Sequence, residues 1–320
     1  MKSKLKRLGH SVVHAENLGI ALILVLLCVI TSLINPSFAT SMNLVNMLRK
    51  ISQVSFIALS MTFVIIGGGI DLSVGAVVGL GGIIAGTLMT HGVPVIVAVL
   101  AAILAGALFG LFNGVFVAKV HIPPFIVTLG TMYVATGLVN VISQGKPIYP
   151  LPESFVQAFS DATFLGIPIT VYAMVVFIIF MYYLLNHTVY GRSITATGGN
   201  EHATETAGIN TARTKIISYV MMGAAAAFTG LMIAGRMKTA HPASGSGWEM
   251  KAIAATVIGG TSVTGGIGSI GGTIIGVAIM AVLEISMTMI KVSVYYQNIV
   301  VGLIIIAAVV FDQLKRKKRS

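Results

Sequence analysis

The sequence predicts an all-α, polytopic membrane protein of about ten transmembrane helices, with broken or re-entrant glycine-rich segments, and three observations carry that prediction. Of the 320 residues, 56% are hydrophobic and only 9% charged, against about 25% charged in ordinary soluble domains. Uncharged runs such as 18–33 and 170–185 approach the roughly 20 residues with which an α-helix crosses about 30 Å of hydrocarbon. The 36 glycines would weaken soluble helices, but in membranes small residues let neighbouring backbones approach closely.

Apolar segments fall near 17–35, 44–66, 72–90, 94–118, 124–143, 168–186, 214–236, 250–263, 269–290 and 295–312. The eighth is the weakest, because Ala252 to Ile258 is followed by Gly259, Gly260 and the polar Thr261; it reads as a half-helix or a re-entrant turn. Basic residues gather at the two ends, at Lys2, Lys4, Lys6 and Arg7 and again at Lys315, Arg316, Lys317, Lys318 and Arg319. Lys and Arg flanking membrane spans stay on the cytoplasmic side, so both termini are expected inside and the number of crossings even. The net charge of +11 is thus a topology signal, with the lipid bilayer as partner and no nucleic acid. The bias has exceptions: Arg49, Lys50, Lys146, Arg236, Lys238, Lys251 and Lys291 fall on or near the outer face. The basic start resembles a signal peptide, but no small-residue cleavage site follows, and a retained first helix is expected.

One transmembrane domain is expected over 1–320. It comprises a cytoplasmic N-terminal segment at 1–16, an outer loop at 144–167, an inner loop at 187–213 and a basic cytoplasmic tail at 313–320. Prolines at 147, 150, 152 and 168 surround a stretch, 153–164, that reads as a short surface helix, a lid or docking surface. Two stretches echo each other, IGGGIDLSVGAVVGLGG at 66–82 and IGGTSVTGGIGSIGG at 258–272. This points to an internal repeat, with broken helices where irregular backbone is buried in protein or lines a cavity.

Several motifs are excluded by context. Residues 266–271 match GxGxxG letter for letter, but that fingerprint needs a preceding strand and a βαβ unit, and here the surroundings are apolar and helical. No GxxxxGK[ST] occurs, so the chain has no P-loop for ATP phosphates. Neither HExxH nor a nucleophile paired with a base can be picked out. The single cysteine, Cys28, lies in the first apolar run and excludes an internal disulfide framework.

The polar residues inside the apolar segments are the candidates for function. Gly67 to Gly69 can break a helix while Asp71 or Ser73 caps the next, since their oxygens accept the free amides of a helix start. An ionisable group at membrane depth also faces the bundle interior or water, so Asp71 is read both as a cap and as a border of a polar path. Gly69, Asp71, Ser73, Asn113, Gly260 and Thr261 are the candidate residues for such a path or helix break, with Asn113 read either as an interhelical hydrogen bond or as a pathway group. Glu284, two turns before Lys291, reads as half of a solvated pair, and only Asp71 and Glu284 qualify as membrane-embedded acids. Gly106, Gly110 and Gly114 recur every four residues, as do Gly75 with Gly79 and Gly272 with Gly276. They mark close-packing seams, within one chain or between two copies.

In the inner loop Gly198 and Gly199 break the chain, Asn200 is a good N-cap, and Glu201, Ala203, Glu205 and Ala207 make a two-turn helix that Gly208 ends. Its size suits a groove in a cytoplasmic partner.

Three blocks, GGGIDLSVGAVVGLGG at 67–82, GRSITATGGNEHATETAGINTARTK at 191–215 and GWEMKAIAATVIGGTSVTGGIGSIGGTIIG at 247–276, closely resemble the permease subunits of bacterial ABC importers of the ribose, xylose and galactose type. The resemblance covers essentially the whole chain and is weakest in the first 45 residues. It implies a homodimeric permease of the cytoplasmic (inner) membrane that receives a sugar from an extracytoplasmic solute-binding protein. It implies that a cytoplasmic ATP-binding subunit drives it, with ATP and Mg on that subunit and no cofactor on this chain. Residues 198–208 then look like the coupling helix, where Gly199, Asn200, Glu201, Ala207 and Gly208 match the family pattern. Branched-chain amino-acid permeases share the architecture but carry an INxAHG-like sequence where this chain has Gly69 to Ser73, which favours sugar. Nucleoside permeases fit as well. An ion-coupled carrier would require more embedded acids or histidines.

Overall fold

The computed structural model describes residues 19–317, so the expected N-terminal segment 1–16 and the end of the basic tail lie outside the described residues. Each of the ten apolar segments contains a helix. These are α1 (Gly19–Ile34), α2 (Ser41–Ile66), α3 (Val74–Thr90), α4 (Val95–Ala118), α5 (Pro124–Ser143), α7 (Ile169–His187), α10 (Thr211–Met237), α11 (Trp248–Ile258), α12 (Ile270–Met289) and α13 (Val294–Lys317). Helices α2, α4, α5, α7, α10 and α12 are long and apolar enough to cross a membrane, whereas α1, α3 and the apolar part of α13 are shorter. The last helix continues through Lys317, so residues 313–317 of the expected tail extend that helix.

Burial divides the helices into a centre and a rim. Every residue of α2 from Ser52 to Ile66 is buried, as expected for a helix that is apolar all round and enclosed by protein. Helices α10, α12, α11 and α7 surround it. The rim helices turn apolar side chains outward, among them Leu22 of α1, Leu104 of α4, Phe180 of α7 and Ile306 of α13. In water this surface would associate; in lipid it is solvated.

The glycine seams pack within the chain. Gly106, Gly110 and Gly114 of α4 face Gly223, Tyr219 and Ile216 of α10 so closely that a Cβ at any of them would overlap the opposing backbone. Gly272 and Gly276 of α12 face Gly259 and Ala255 at the end of α11. The carboxylate of Glu249 on α11 lies against Gly75 of α3, and Gly75 and Gly79 also face the carbonyls of Gly245 and Pro242.

That last contact explains the eighth segment. Helix α11 has 11 residues, roughly 16 Å at 1.5 Å per residue, or half the hydrocarbon thickness. The other half is irregular chain: Ala240 lies beside Gly86, Pro242 beside Gly79 and Gly245 against Gly75. Residues 240–245 therefore descend along α3 for roughly 16 Å before α11 begins. The expected span at 250–263 is thus shorter and starts deeper, and it stops at Ile258.

The two echoing stretches share a backbone design. At the end of α2, Gly69 N–H donates to Val64 O and Gly68 N–H to Ile65 O; at the end of α11, Thr261 N–H donates to Thr256 O and Gly260 N–H to Val257 O. Both are Schellman caps with glycine in the left-handed region, at φ +78° for Gly68 and +84° for Gly260, where a side chain is strained. The broken helices also touch. Thr62 and Thr273 share a hydroxyl hydrogen bond of 2.8 Å, and Thr256 Oγ1 donates to Ala58 O.

The 144–167 loop is docked. Glu153–Val156 forms α6, which runs into a π turn at Gln157–Asp161 and a hairpin pairing Thr163–Phe164 with Ile167–Pro168. Phe155 is fully buried, and Phe159 lies against Gly235 and the ring of Phe228 on α10. The helix expected over 153–164 stops at Asp161, which pairs with Lys238 at 3.2 Å.

Glu284 corrects a further expectation. It is 5% exposed and pairs with Lys50 of α2 and, at 3.3 Å, with Lys251 of α11, because those helices flank α12. Lys251 also lies 5.4 Å from the Trp248 ring centroid. The charges of Lys50 and Lys251 that broke the topology bias are therefore gathered round one carboxylate.

Three outcomes are expected in detergent. Gly223→Val, whose side chain meets the Gly106 backbone, should destabilise the protein by at least the ~1–3 kcal/mol typical of overpacking. Gly302→Ala, where a Cβ meets nothing, should leave thermal unfolding unchanged; equal melting temperatures for the two would refute the seam. Glu284→Gln should cost about 2–3 kcal/mol, below the ~3–5 kcal/mol of a fully buried pair, because both lysine side chains keep about a quarter of their exposure.

Candidate functional site

The connection between α7 and α10 is two helices, α8 (Val189–Gly199) and α9 (Glu201–Thr206). Thr188 Oγ1 accepts the Gly191 amide to start α8, and Asn200 Oδ1 accepts the Ala203 amide at 2.9 Å to start α9. Gly208, at φ +83°, ends α9 as expected. The break itself is at Asn200, while Gly198 and Gly199 are the last residues of α8, which differs from the expectation that they interrupt the chain.

Gly198 is glycine because of what it touches. A Cβ there would overlap the Ile66 carbonyl at the end of α2 and the Gly266 amide of the 259–269 connection. Gly266 N–H donates to that same Ile66 carbonyl at 2.8 Å. Ile194 of α8 is fully buried and fills the space beside Gly67, and Tyr190 stacks on Phe63 of α2 at 5.9 Å. Burial pushes the Tyr190 phenol above its ordinary pKa, so it stays neutral. One short helix is thus clamped against both helix breaks.

Helix α9 is held from one side only. Glu201 pairs with Lys215 of α10 at 2.6 Å, Glu205 Oε1 accepts the Thr211 hydroxyl at 2.6 Å, and Thr204 is buried. Ala203, Glu205, Ala207 and Gly208 are exposed, as are His202 and Thr206. The result is a rigidly mounted knob with a free face. Between its Glu201–Lys215 pair and the break at Gly68 and Gly69 lies a cavity of about 190 Å³, which Tyr219 also lines.

Asp71, Ser73 and Asn113 come together, all at most 1% exposed. Asp71 Oδ1 accepts both the amide of Ser73, at 2.9 Å, and its hydroxyl, at 2.6 Å. Asn113 Nδ2 donates to Ser73 Oγ at 3.0 Å, and Thr131 Oγ1 donates to Asn113 Oδ1 at 2.8 Å. The network ties the start of α3 to α4 and α5, so the carboxylate turns the chain and joins three helices. Gly69 faces the Tyr219 hydroxyl, which donates to Ile70 O at 3.2 Å. Gly260 and Thr261 stand at the other break, where the Thr261 hydroxyl is buried without a hydrogen-bond partner.

Sequence reasoning missed Thr131 and Lys215, whose partners are distant in sequence. It also missed Glu249 in the first turn of α11, which lines a second cavity of about 450 Å³ between α5 and the irregular 242–247 segment. A run of small and polar residues before that helix hid its depth. Among the described residues, no cluster of three or more His, Cys, Asp or Glu could hold a metal ion.

Comparison with known proteins places this geometry in a family. The chain is 42% identical to the ribose import permease protein RbsC of Bacillus subtilis over 301 residues, covering 94% of each chain. It is 39% identical to the ribose import permease protein RbsC of Escherichia coli K12 over 304 residues, again 94% of each. With the L-arabinose ABC transporter permease protein AraH of Azospirillum brasilense it shares 36% over 301 residues, 94% of this chain and 88% of the relative. No solved structure matches significantly. A family profile described as branched-chain amino acid transport system / permease component matches residues 43–309, and with most of its length so matched the chain belongs to that family of permease components.

Proposed function

We propose that the chain is the membrane-spanning permease subunit of an ATP-driven importer and passes a monosaccharide delivered by an extracytoplasmic binding protein. The observation that carries the reading is the knob formed by α8 and α9: an exposed face on a short helix, seated through Gly198 on the Ile66 carbonyl and on Gly266. A partner gripping that face moves both helix breaks at once. The sugar is drawn from the relatives' names, ribose and L-arabinose importers alike over nearly the whole chain.

In this mechanism a cytoplasmic ATP-binding subunit holds ATP and Mg, and its closure displaces the α8–α9 knob. Two permease copies rock against each other so that the central path opens on one side at a time. Both termini then lie in the cytoplasm with the knob, and the 144–167 loop faces the binding protein across the inner membrane. An ion-coupled carrier fits poorly, because Asp71 is engaged by Ser73 and Asn113 and Glu284 by two lysines, leaving Glu249 alone among the described membrane-embedded acids. Amino-acid or nucleoside import is the alternative within the same architecture.

The test uses the permease reconstituted with its ATP-binding subunit and binding protein. Ala207→Arg, on the free face, should lower sugar uptake per ATP roughly tenfold, within the usual range of coupling energies, while the chain remains inserted. Glu201→Lys should do the same by repelling Lys215, and the exchange Glu201→Lys with Lys215→Glu should restore much of the loss. Unchanged uptake in Ala207→Arg would refute the coupling role. Uptake of leucine but not of ribose or arabinose by the wild-type complex would refute the sugar.

A further inference from the structure

We infer that the solute in transit is held in the 450 Å³ cavity between α5 and the descending 242–247 segment, with Tyr133, Thr136, Asn140 and Glu249 as its contact groups; this rests on the importer reading above. Three independent features meet there. The first is a stripe. Residues 133, 136 and 140 follow the i, i+3, i+7 spacing of one helix face, and all three are exposed. Their neighbours Val134, Leu138 and Val141 are exposed and apolar, as a lipid-facing stripe requires. Helix α5 thus shows two surfaces, one for hydrocarbon and one for something polar.

The second feature is the backbone opposite that stripe. Residues 242–247 form turns, not a helix, although they lie alongside α3 from Gly79 to Gly75. Irregular chain at membrane depth is tolerated only where protein buries it or where it lines a water-filled cavity. Ser246 is exposed and lines this one.

The third is Glu249. Its carboxylate fits beside Gly75 because that residue has no Cβ. An ionisable group at this depth borders a functional path by default. A first-turn acid also favours the dipole of α11, but that role alone would not turn it toward the polar stripe of α5.

The chemistry of the lining selects a neutral, polyhydroxylated solute. A carboxylate offers about four lone-pair sites to hydroxyl donors. Thr136 Oγ1 donates to Met132 O and Asn140 Nδ2 to Thr136 O, which leaves their oxygens available to accept from a solute. Tyr133, 70% exposed, offers an aromatic face to the C–H side of a sugar ring. Among the described residues no Lys, Arg or His lines the cavity, so the carboxylate of an amino acid would meet no cationic partner among them. The volume lies within the ~300–1,000 Å³ of small-molecule sites.

The experiment starts from Cys28→Ser, which removes the only thiol, and adds Asn140→Cys, Ser246→Cys or Leu138→Cys separately. Each permease is reconstituted with the ATP-binding subunit and binding protein and treated with a charged, membrane-impermeant thiosulfonate. Asn140→Cys and Ser246→Cys should be modified, and modification should cut sugar uptake at least tenfold while ATP hydrolysis persists. Leu138→Cys should react only with a lipid-soluble maleimide. Glu249→Gln should lower uptake without reducing the amount of folded complex. Asn140→Cys and Ser246→Cys behaving like Leu138→Cys, or modification that leaves uptake intact, would overturn the inference while a transporting wild type upholds the importer reading. A wild-type complex that moves no sugar would overturn both.

Discussion

One backbone carbonyl organises the functional part of this protein. Ile66 O, at the end of α2, accepts the Gly266 amide at 2.8 Å while Gly198 of α8 rests on it. Three segments distant in sequence meet at an atom that only glycines can approach so closely. The geometry demands helices that stop abruptly, and the Schellman caps at Gly68 and Gly260 supply the stops. It also demands a connection short enough to return α8 to the same point, which the Asn200 cap and the Gly208 turn provide.

Glycine seams and polar networks divide the work of holding the helices together. In lipid there is little hydrophobic gain from bringing helices into contact, so packing and hydrogen bonds must suffice. The α4–α10 seam gives long backbone contact with few side chains between. The Asp71–Ser73–Asn113–Thr131 chain then fixes register where α3 begins, since each member is buried and bonded to the next.

Much of this was legible in the residues. Continuous apolar runs placed a helix in each of ten segments, and local chemistry identified the Asn200 cap, the Gly208 end and the two glycine breaks, because each depends on a few adjacent residues. What depended on distant partners was not legible. Gly198 reads as a chain breaker until Ile66 is seen against it. Glu284 reads as a partner for Lys291 because both are near in sequence, whereas the fold brings Lys50 and Lys251 to it. The segment HPASGSG at 241–247 has the composition of a surface loop, and only the cleft opened by Gly75 and Gly79 takes it to membrane depth. Its concealment also hid Glu249.

The ion triad has a mechanical meaning. A single carboxylate shared by Lys50 and Lys251 binds α2, α11 and α12 at the end remote from α8 and α9, and separating any one of them would strand an amine in a poorly hydrated place. Those three helices are consequently tied together at that end. At their other end the chain beside the knob, 67–73 and 259–269, is unwound, so the same helices are cross-braced by charge at one end and jointed by glycine-rich backbone at the other.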